Sequence, residues 1–201
     1  MQRDIEKRSR KAGKLKIKAD WKWITSIFGI TIGISATMSL LSNEVLSEGG
    51  LLLSFGVLLL IILIGVVFDI IGVAVTAADE KPFHSMAAKK MPEATEAIRL
   101  LRKAERVSSF CNDVVGDICG VISGSASAVI ATQAVIGMPT VLSRAVQLLM
   151  SALVAGITVG GKAFGKSIAM SNSTAIIHTA ARLIYSVKSA PKRLMRLIRH
   201  K

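Results

Sequence analysis

Four long apolar stretches constrain the fold of this chain more than any other feature of its sequence. They cover approximately residues 23–46, 51–78, 113–135 and 140–170. Each has the roughly 20 residues that a helix needs to cross a hydrocarbon layer about 30 Å thick. We expect the first stretch to be retained, because its basic leader is long and no clear small-x-small cleavage site follows it. The sequence therefore predicts an all-α integral membrane protein with about four transmembrane helices plus amphipathic juxtamembrane helices.

The lysines and arginines outside these stretches predict the orientation of the chain. Residues 1–22, 81–107 and 186–201 are all basic, whereas the loops 42–50 and 137–140 contain no lysine or arginine. Cytoplasmic loops of membrane proteins retain positive charge. We expect a multi-pass protein of the cell membrane with both termini in the cytoplasm.

The formal net charge of +13 raises the question of nucleic-acid binding. Here the basic segments flank apolar spans, where they attract anionic lipid head groups, and the stacking aromatic residues of a nucleic-acid platform are missing. We expect the lipid bilayer as partner and no nucleic acid. We also expect no enzyme activity, because no nucleophile and base, redox motif or zinc-ligand pattern is recognisable.

Residues 160–167, GGKAFGKS, satisfy the letters of a phosphate-binding P-loop. A P-loop needs a strand before its glycines, but the preceding residues form an apolar run of helical length without a turn signal. Small residues spaced four apart let helices approach closely in a bilayer. We therefore expect no nucleotide cofactor and a role in helix packing for Gly156, Gly160, Gly161 and Gly165.

Lys162 lies inside the fourth span, where an ammonium near the bilayer centre costs at least ~2.5 kcal/mol unless it faces protein or water. Its natural partners are the carboxylates of other spans. In a regular helix Asp113 and Asp117 share one face, which Ser123 flanks and Ser127 continues. The second span contributes further polar residues, Asp69 and Thr76.

Two interpretations of these intramembrane acids stay open. In the first, they form an all-oxygen site for a hard cation such as Mg2+. The candidate metal ligands are Asp117, Asp113, Asp69, Ser123 and Thr76. In the second, Lys162 neutralises one aspartate and the other acids lie at the water interface, because buried ion pairs are often structural.

Three segments resemble the CNNM/CorC (CorB) magnesium transporter family. GKAFGKSIA, at 161–169, resembles the Gly-Glu-x-x-Pro-Lys-Ser-x-Ala signature that closes the last span of that family. Asp113-x-x-x-Asp117 resembles its Asn-x-x-x-Asn helix. Residues 72–90 resemble the end of its first conserved span. The segments occur in the family's order and together cover about residues 51–186.

The resemblance implies a dimeric membrane domain that binds a partly dehydrated Mg2+ midway through the membrane and transports it, and the choice between Mg2+ and Co2+ stays open. Residues 51–186 would be this domain, with belt helices from 91–107 and 173–187. Residues 23–50 would be an additional helix with its outer loop, 1–22 a cytoplasmic leader and 187–201 a basic cytoplasmic tail. We expect none of the family's nucleotide-binding CBS modules in this chain, which leaves room for a separate regulatory subunit.

The departures from the family concern the predicted site itself. Lys162 stands where the family has a metal-coordinating Glu, Gly165 replaces its Pro, and Gly72 falls near its other Glu. In one account the aspartates replace the lost Glu, Lys162 tunes the site, and the chain transports divalent cations. In the alternative, Lys162 supplies a tethered charge where the family binds an ion, and the chain is a non-transporting structural or regulatory protein of the same fold.

Overall fold

A computed structural model of the chain describes the backbone of residues 21–48 and 50–199, and the side chains of residues 21–40 and 50–189. The predicted leader, residues 1–22, therefore lies almost entirely outside the described part. The described residues form eight α-helices, one π-helical segment and no strand, which confirms the all-α prediction. The α-helices are α1 (Trp21–Glu48), α2 (Leu51–Ala77), α3 (Lys81–Ala88), α4 (Pro92–Leu101), α5 (Ala104–Ser109), α6 (Asp117–Ala134), α7 (Thr140–Ser171) and α8 (Ser173–Arg199). The π-helical segment is Phe110–Gly116, between α5 and α6.

Four helical stretches among the described residues are long and apolar enough to cross a membrane. They are Trp21–Leu40, Leu51–Ala77, Ala104–Ala134 and Thr140–Ser171. The third begins at Ala104 rather than near residue 113, because α5, the π-helical segment and α6 follow one another without a break. Large apolar side chains on these helices, such as Leu52 and Val141, are more than four-fifths exposed at 88% and 84%. Such surfaces suit contact with lipid.

The central element is α2, which contacts α1, the π-helical segment, α6, α7 and α8. Two buried clusters surround it. Leu58 and Ile62 pack against α6 and against Val154 of α7. Ile61 packs against Ile118 of α6 and against Val114 of the π-helical segment. Helices α2, α6 and α7 are therefore packed on one another.

Two glycines of α2 bring the π-helical segment and α6 close to it. A Cβ built on Gly65 would lie 2.8 Å from Cβ of Cys119, and one built on Gly72 would collide with the side-chain amide of Asn112. Real Cβ atoms essentially never approach so closely, so a side chain at position 65 would force α2 and α6 apart, and one at position 72 would require the side chain of Asn112 to move. Asp69 lies between these two contacts and faces the same neighbours.

A third cluster joins the short helices to one end of the bundle. Phe83 of α3, Ala97 of α4 and Ile177 of α8 are fully buried together with Val75 of α2. The ends of helix α4 have favourable residues: Pro92 lies in its first turn, and the positive charge of Arg99 lies in its last turn. A salt bridge of 2.8 Å from Lys188 Nζ to Glu96 Oε2 also joins α8 to α4. Helix α8 continues to Arg199, across the boundary predicted at residue 187.

Candidate functional site

The π-helical segment Phe110–Gly116 carries the first of the two predicted acids of the third span, and the second follows it directly. π-helical turns are rare and occur frequently at functional sites. Their wider turn also removes the regular spacing on which the predicted polar face depended. Asp113 is exposed, and its Oδ2 accepts a hydrogen bond of 2.7 Å from Ser109 Oγ. The side chain of Asp117 is 72% exposed.

Lys162 reaches from α7 to the junction of the π-helical segment with α6. Its Nζ donates a hydrogen bond of 3.0 Å to the carbonyl oxygen of Gly116. The same Nζ lies 3.9 Å from Oδ1 of Asp117, and the lysine side chain is 22% exposed. The ammonium of Lys162 is therefore directed at protein oxygens rather than at the apolar exterior.

Asp69 of α2 approaches the same junction from the other side. It is 5% exposed, and its Oδ2 is buried without a hydrogen-bond partner among the described residues. A Cβ on Gly116 would lie 3.4 Å from Lys162 Nζ and 4.0 Å from Asp69 Oδ1. The same point is 3.3 Å from the carbonyl oxygen of Cys111. The absence of a side chain at Gly116 thus leaves room for an ammonium and a buried carboxylate close to one another.

These four residues, Asp69, Gly116, Asp117 and Lys162, are called the polar centre below. Three of them belong to the predicted set, whereas Gly116 was missed by the sequence reasoning. The signal that could have found it is a glycine between two acids, in Asp113-Val-Val-Gly-Asp117, within an otherwise apolar span. The π-helical geometry that aims its carbonyl oxygen at α7 has no comparable signal.

The remaining predicted metal ligands lie elsewhere. Thr76 is exposed, and its Oγ1 donates to the carbonyl oxygen of Val73 at 2.8 Å. Ser123 is buried and donates to the carbonyl oxygen of Gly120 at 3.0 Å. Within the described part of the chain, no group of three or more His, Cys, Asp or Glu side chains is placed to hold a metal ion. The five predicted ligands are therefore not gathered into one site within this chain.

A groove of about 330 Å³ between α6 and α7 ends at Lys162. Hydroxyl-bearing and small residues line much of it, including Ser123, Ser127, Ser151 and Thr158. The sequence reasoning missed Ser151 and Thr158, although they precede Lys162 by 11 and 4 residues and so share its helical face. The groove leads to Lys162 along two of the membrane-length helices, with apolar side chains such as Val154 and Val159 between the hydroxyls.

The four glycines predicted to pack helices fall into two groups. A Cβ on Gly161 would lie 3.2 Å from Val66 Cγ2, and one on Gly165 would lie 2.8 Å from Ile70 Cγ1. These two glycines therefore let α7 approach α2. A Cβ on Gly156 or Gly160 would meet nothing within 4 Å, so these two lie on an open face of α7.

Comparison of the chain with protein-family models, with curated proteins and with solved structures finds no match. The family resemblance of the three short segments consequently stays a prediction, and the function must be argued from the polar centre.

Proposed function

We propose that this chain is an integral membrane protein in which Lys162 takes the place of a bound ion, and that its role is structural or regulatory rather than transport. The observation that carries this proposal is the hydrogen bond of 3.0 Å from Lys162 Nζ to the carbonyl oxygen of Gly116. The same ammonium lies 3.9 Å from Asp117 Oδ1, and the buried carboxylate of Asp69 approaches the same glycine from α2.

Electrostatics favours one cation at this position and disfavours a second. Two unit charges about 4 Å apart interact by about 4 kcal/mol at an effective dielectric constant near 20, and a divalent ion doubles that value. An Mg2+ ion beside Asp69 would be repelled by Lys162 on this scale. It would also have to keep most of its waters, because no group of three or more His, Cys, Asp or Glu side chains among the described residues is placed to hold it.

The family resemblance supports the same conclusion from the sequence. Lys162 stands where the CNNM/CorC family has its metal-coordinating Glu, so that the charge at this position is reversed. Gly72 falls near the family's other Glu, and even a Cβ at Gly72 would collide with Asn112.

We further propose that the protein lies in the cell membrane with both termini in the cytoplasm, forms a homodimer and leaves regulation to a separate subunit.

Transport of divalent cations, Mg2+ and with it Co2+, is the second candidate. Two observations favour it: Asp69 Oδ2 is buried without a partner among the described residues, and the hydroxyl-lined groove leads to the polar centre. In this account Lys162 moves aside or snorkels toward an interface while the ion passes.

Flux of Mg2+ into proteoliposomes that contain a magnesium-sensitive dye distinguishes the two candidates. We expect the wild-type chain to give no flux above protein-free liposomes. Lys162→Glu restores the negative charge that the family signature has at this position. If a substitution of lysine by glutamate creates Mg2+ flux, we expect it at position 162 and not at the control position. Lys166→Glu, one turn further along the same helix at an exposed position, is the matched control. Flux by wild type that is lost in Asp117→Asn or Asp69→Asn would instead establish the transporter.

A further inference from the structure

A second charged feature lies away from the polar centre, at the turn between α4 and α5. A pocket of about 320 Å³ is lined there by Thr95, Ile98, Arg99, Arg102 and Lys103. Three of these five side chains are cationic, and no carboxylate is among them. The pocket is therefore suited to an anion.

The three cations differ in how far they are already neutralised. Arg99 donates to both carboxylate oxygens of Glu96, at 3.2 and 3.4 Å, and Glu96 also accepts from Lys188 at 2.8 Å. The exposed side chains of Arg102 and Lys103 form no hydrogen bond or ion pair with the residues that the structure describes. These two cations are thus free to bind a ligand.

The position of the pocket along the chain indicates the kind of ligand. Lys103 immediately precedes Ala104, where the third membrane-length helix begins. One turn later, the guanidinium of Arg106 lies over the ring of Trp23 at 5.1 Å from its centroid, near the start of α1. Tryptophan and basic residues at the ends of spans mark the head-group layer of a bilayer. The pocket accordingly lies at the level where lipid phosphates are found.

We propose that this pocket binds the phosphate group of an anionic phospholipid, with Arg102 and Lys103 as the cationic ligands and Thr95 as a hydroxyl donor. Arginine binds phosphate oxygens through paired N–H donors, and lysine adds a compact charge. A free phosphate ion offers the same oxygens, but the pocket's place beside a membrane-length helix favours the head group. The proposal rests on membrane insertion and does not depend on the role of Lys162.

Native mass spectrometry of the full chain, released from detergent, tests the proposal by counting bound phosphatidylglycerol and phosphatidylcholine during titrations. We expect wild type to prefer phosphatidylglycerol. Each basic residue near an anionic surface contributes roughly a fivefold gain in affinity, so Arg102→Gln with Lys103→Gln should weaken phosphatidylglycerol binding on the order of 30-fold. Phosphatidylcholine binding should not change.

The matched control is Lys81→Gln with Lys89→Gln, which removes two exposed positive charges outside the pocket. It should retain phosphatidylglycerol binding to within a few-fold, and both double variants should unfold at the wild-type temperature. Equal losses in the two double variants would show a general charge effect and overturn the proposed site. A different result would be that equimolar inorganic phosphate displaces the lipid from wild type and no longer binds to the Arg102→Gln, Lys103→Gln variant. That result would assign the pocket to free phosphate and overturn the head-group assignment.

Discussion

Lys162 Nζ and the carbonyl oxygen of Gly116, 46 residues apart in sequence, are joined by a hydrogen bond of 3.0 Å. This bond ties the middle of α7 to the end of the π-helical segment, next to the buried carboxylate of Asp69. The lack of a side chain at Gly116 keeps this contact uncrowded, since a Cβ there would lie 3.4 Å from Nζ and 3.3 Å from the carbonyl oxygen of Cys111. One charged side chain thus links two of the membrane-length helices.

Lys162→Met should destabilise the protein by about 1 to 3 kcal/mol, because it removes the donor to Gly116 and leaves the nearby acids without their counter-charge. Lys166→Met makes the same chemical change at an exposed position of the same helix and should be nearly neutral. Unfolding of the purified protein in detergent micelles measures both. Equal effects of the two substitutions would mean that the contact with Gly116 contributes nothing.

Asp69 and Lys162 should be energetically coupled, since both approach the space beside Gly116. We expect the double variant Asp69→Asn with Lys162→Met to be more stable than the sum of the single effects predicts, by about 0.5 to 3 kcal/mol. A double-mutant cycle of unfolding free energies gives this coupling. Strict additivity would show that Lys162 does not serve as the counter-charge of Asp69.

Gly65→Ala should be destabilising by about 1 to 3 kcal/mol through overpacking, because the added methyl would lie 2.8 Å from Cβ of Cys119. Gly56→Ala, also in α2, is the matched control, since its Cβ would meet nothing within 4 Å. It should be neutral or slightly stabilising, as alanine is the better helix former. Comparison of the two unfolding midpoints checks the prediction, which fails if Gly65→Ala behaves like the control.

Gly72→Ala should also be destabilising, because its methyl collides with the side chain of Asn112. Asn112→Ala should cost little, since it removes one long hydrogen bond of 3.3 Å from Nδ2 to Ser108 Oγ together with an Oδ1 that is buried without a partner among the described residues. The double variant should regain most of the stability lost in Gly72→Ala. Unfolding of the four proteins, wild type included, measures this rescue, and its absence would place the steric conflict elsewhere.

The sequence predicted the four membrane-length helices because long apolar runs leave few alternatives, and the ends of α2 and α7 agree with prediction within one residue. The third helix was predicted to begin too late. Residues 104–107 were assigned to the end of a belt helix and residues 108–112 to no element, yet together they form α5 and the start of the π-helical segment. Their helical structure continues into the apolar span, which single-residue hydropathy cannot reveal.

The polar centre was predictable only in part. An intramembrane lysine is costly, so that Lys162 and its candidate acids were found from the sequence alone. Assigning Asp113 and Asp117 to one inward face required regular α-helical spacing, and the π-helical turn changes that spacing. Both acids are exposed, whereas Asp69 is buried.

The most direct test of the central claim is the effect of Mg2+ on the unfolding temperature of wild type and of Lys162→Met, with Na+ at equal ionic strength as the control. A ligand that binds the folded state raises stability by RT ln(1 + [L]/Kd). The account predicts no Mg2+-specific stabilisation of wild type, because the ammonium of Lys162 already supplies the positive charge beside Gly116 and Asp117. Specific stabilisation of wild type by Mg2+, equal to or larger than that of Lys162→Met, would contradict it.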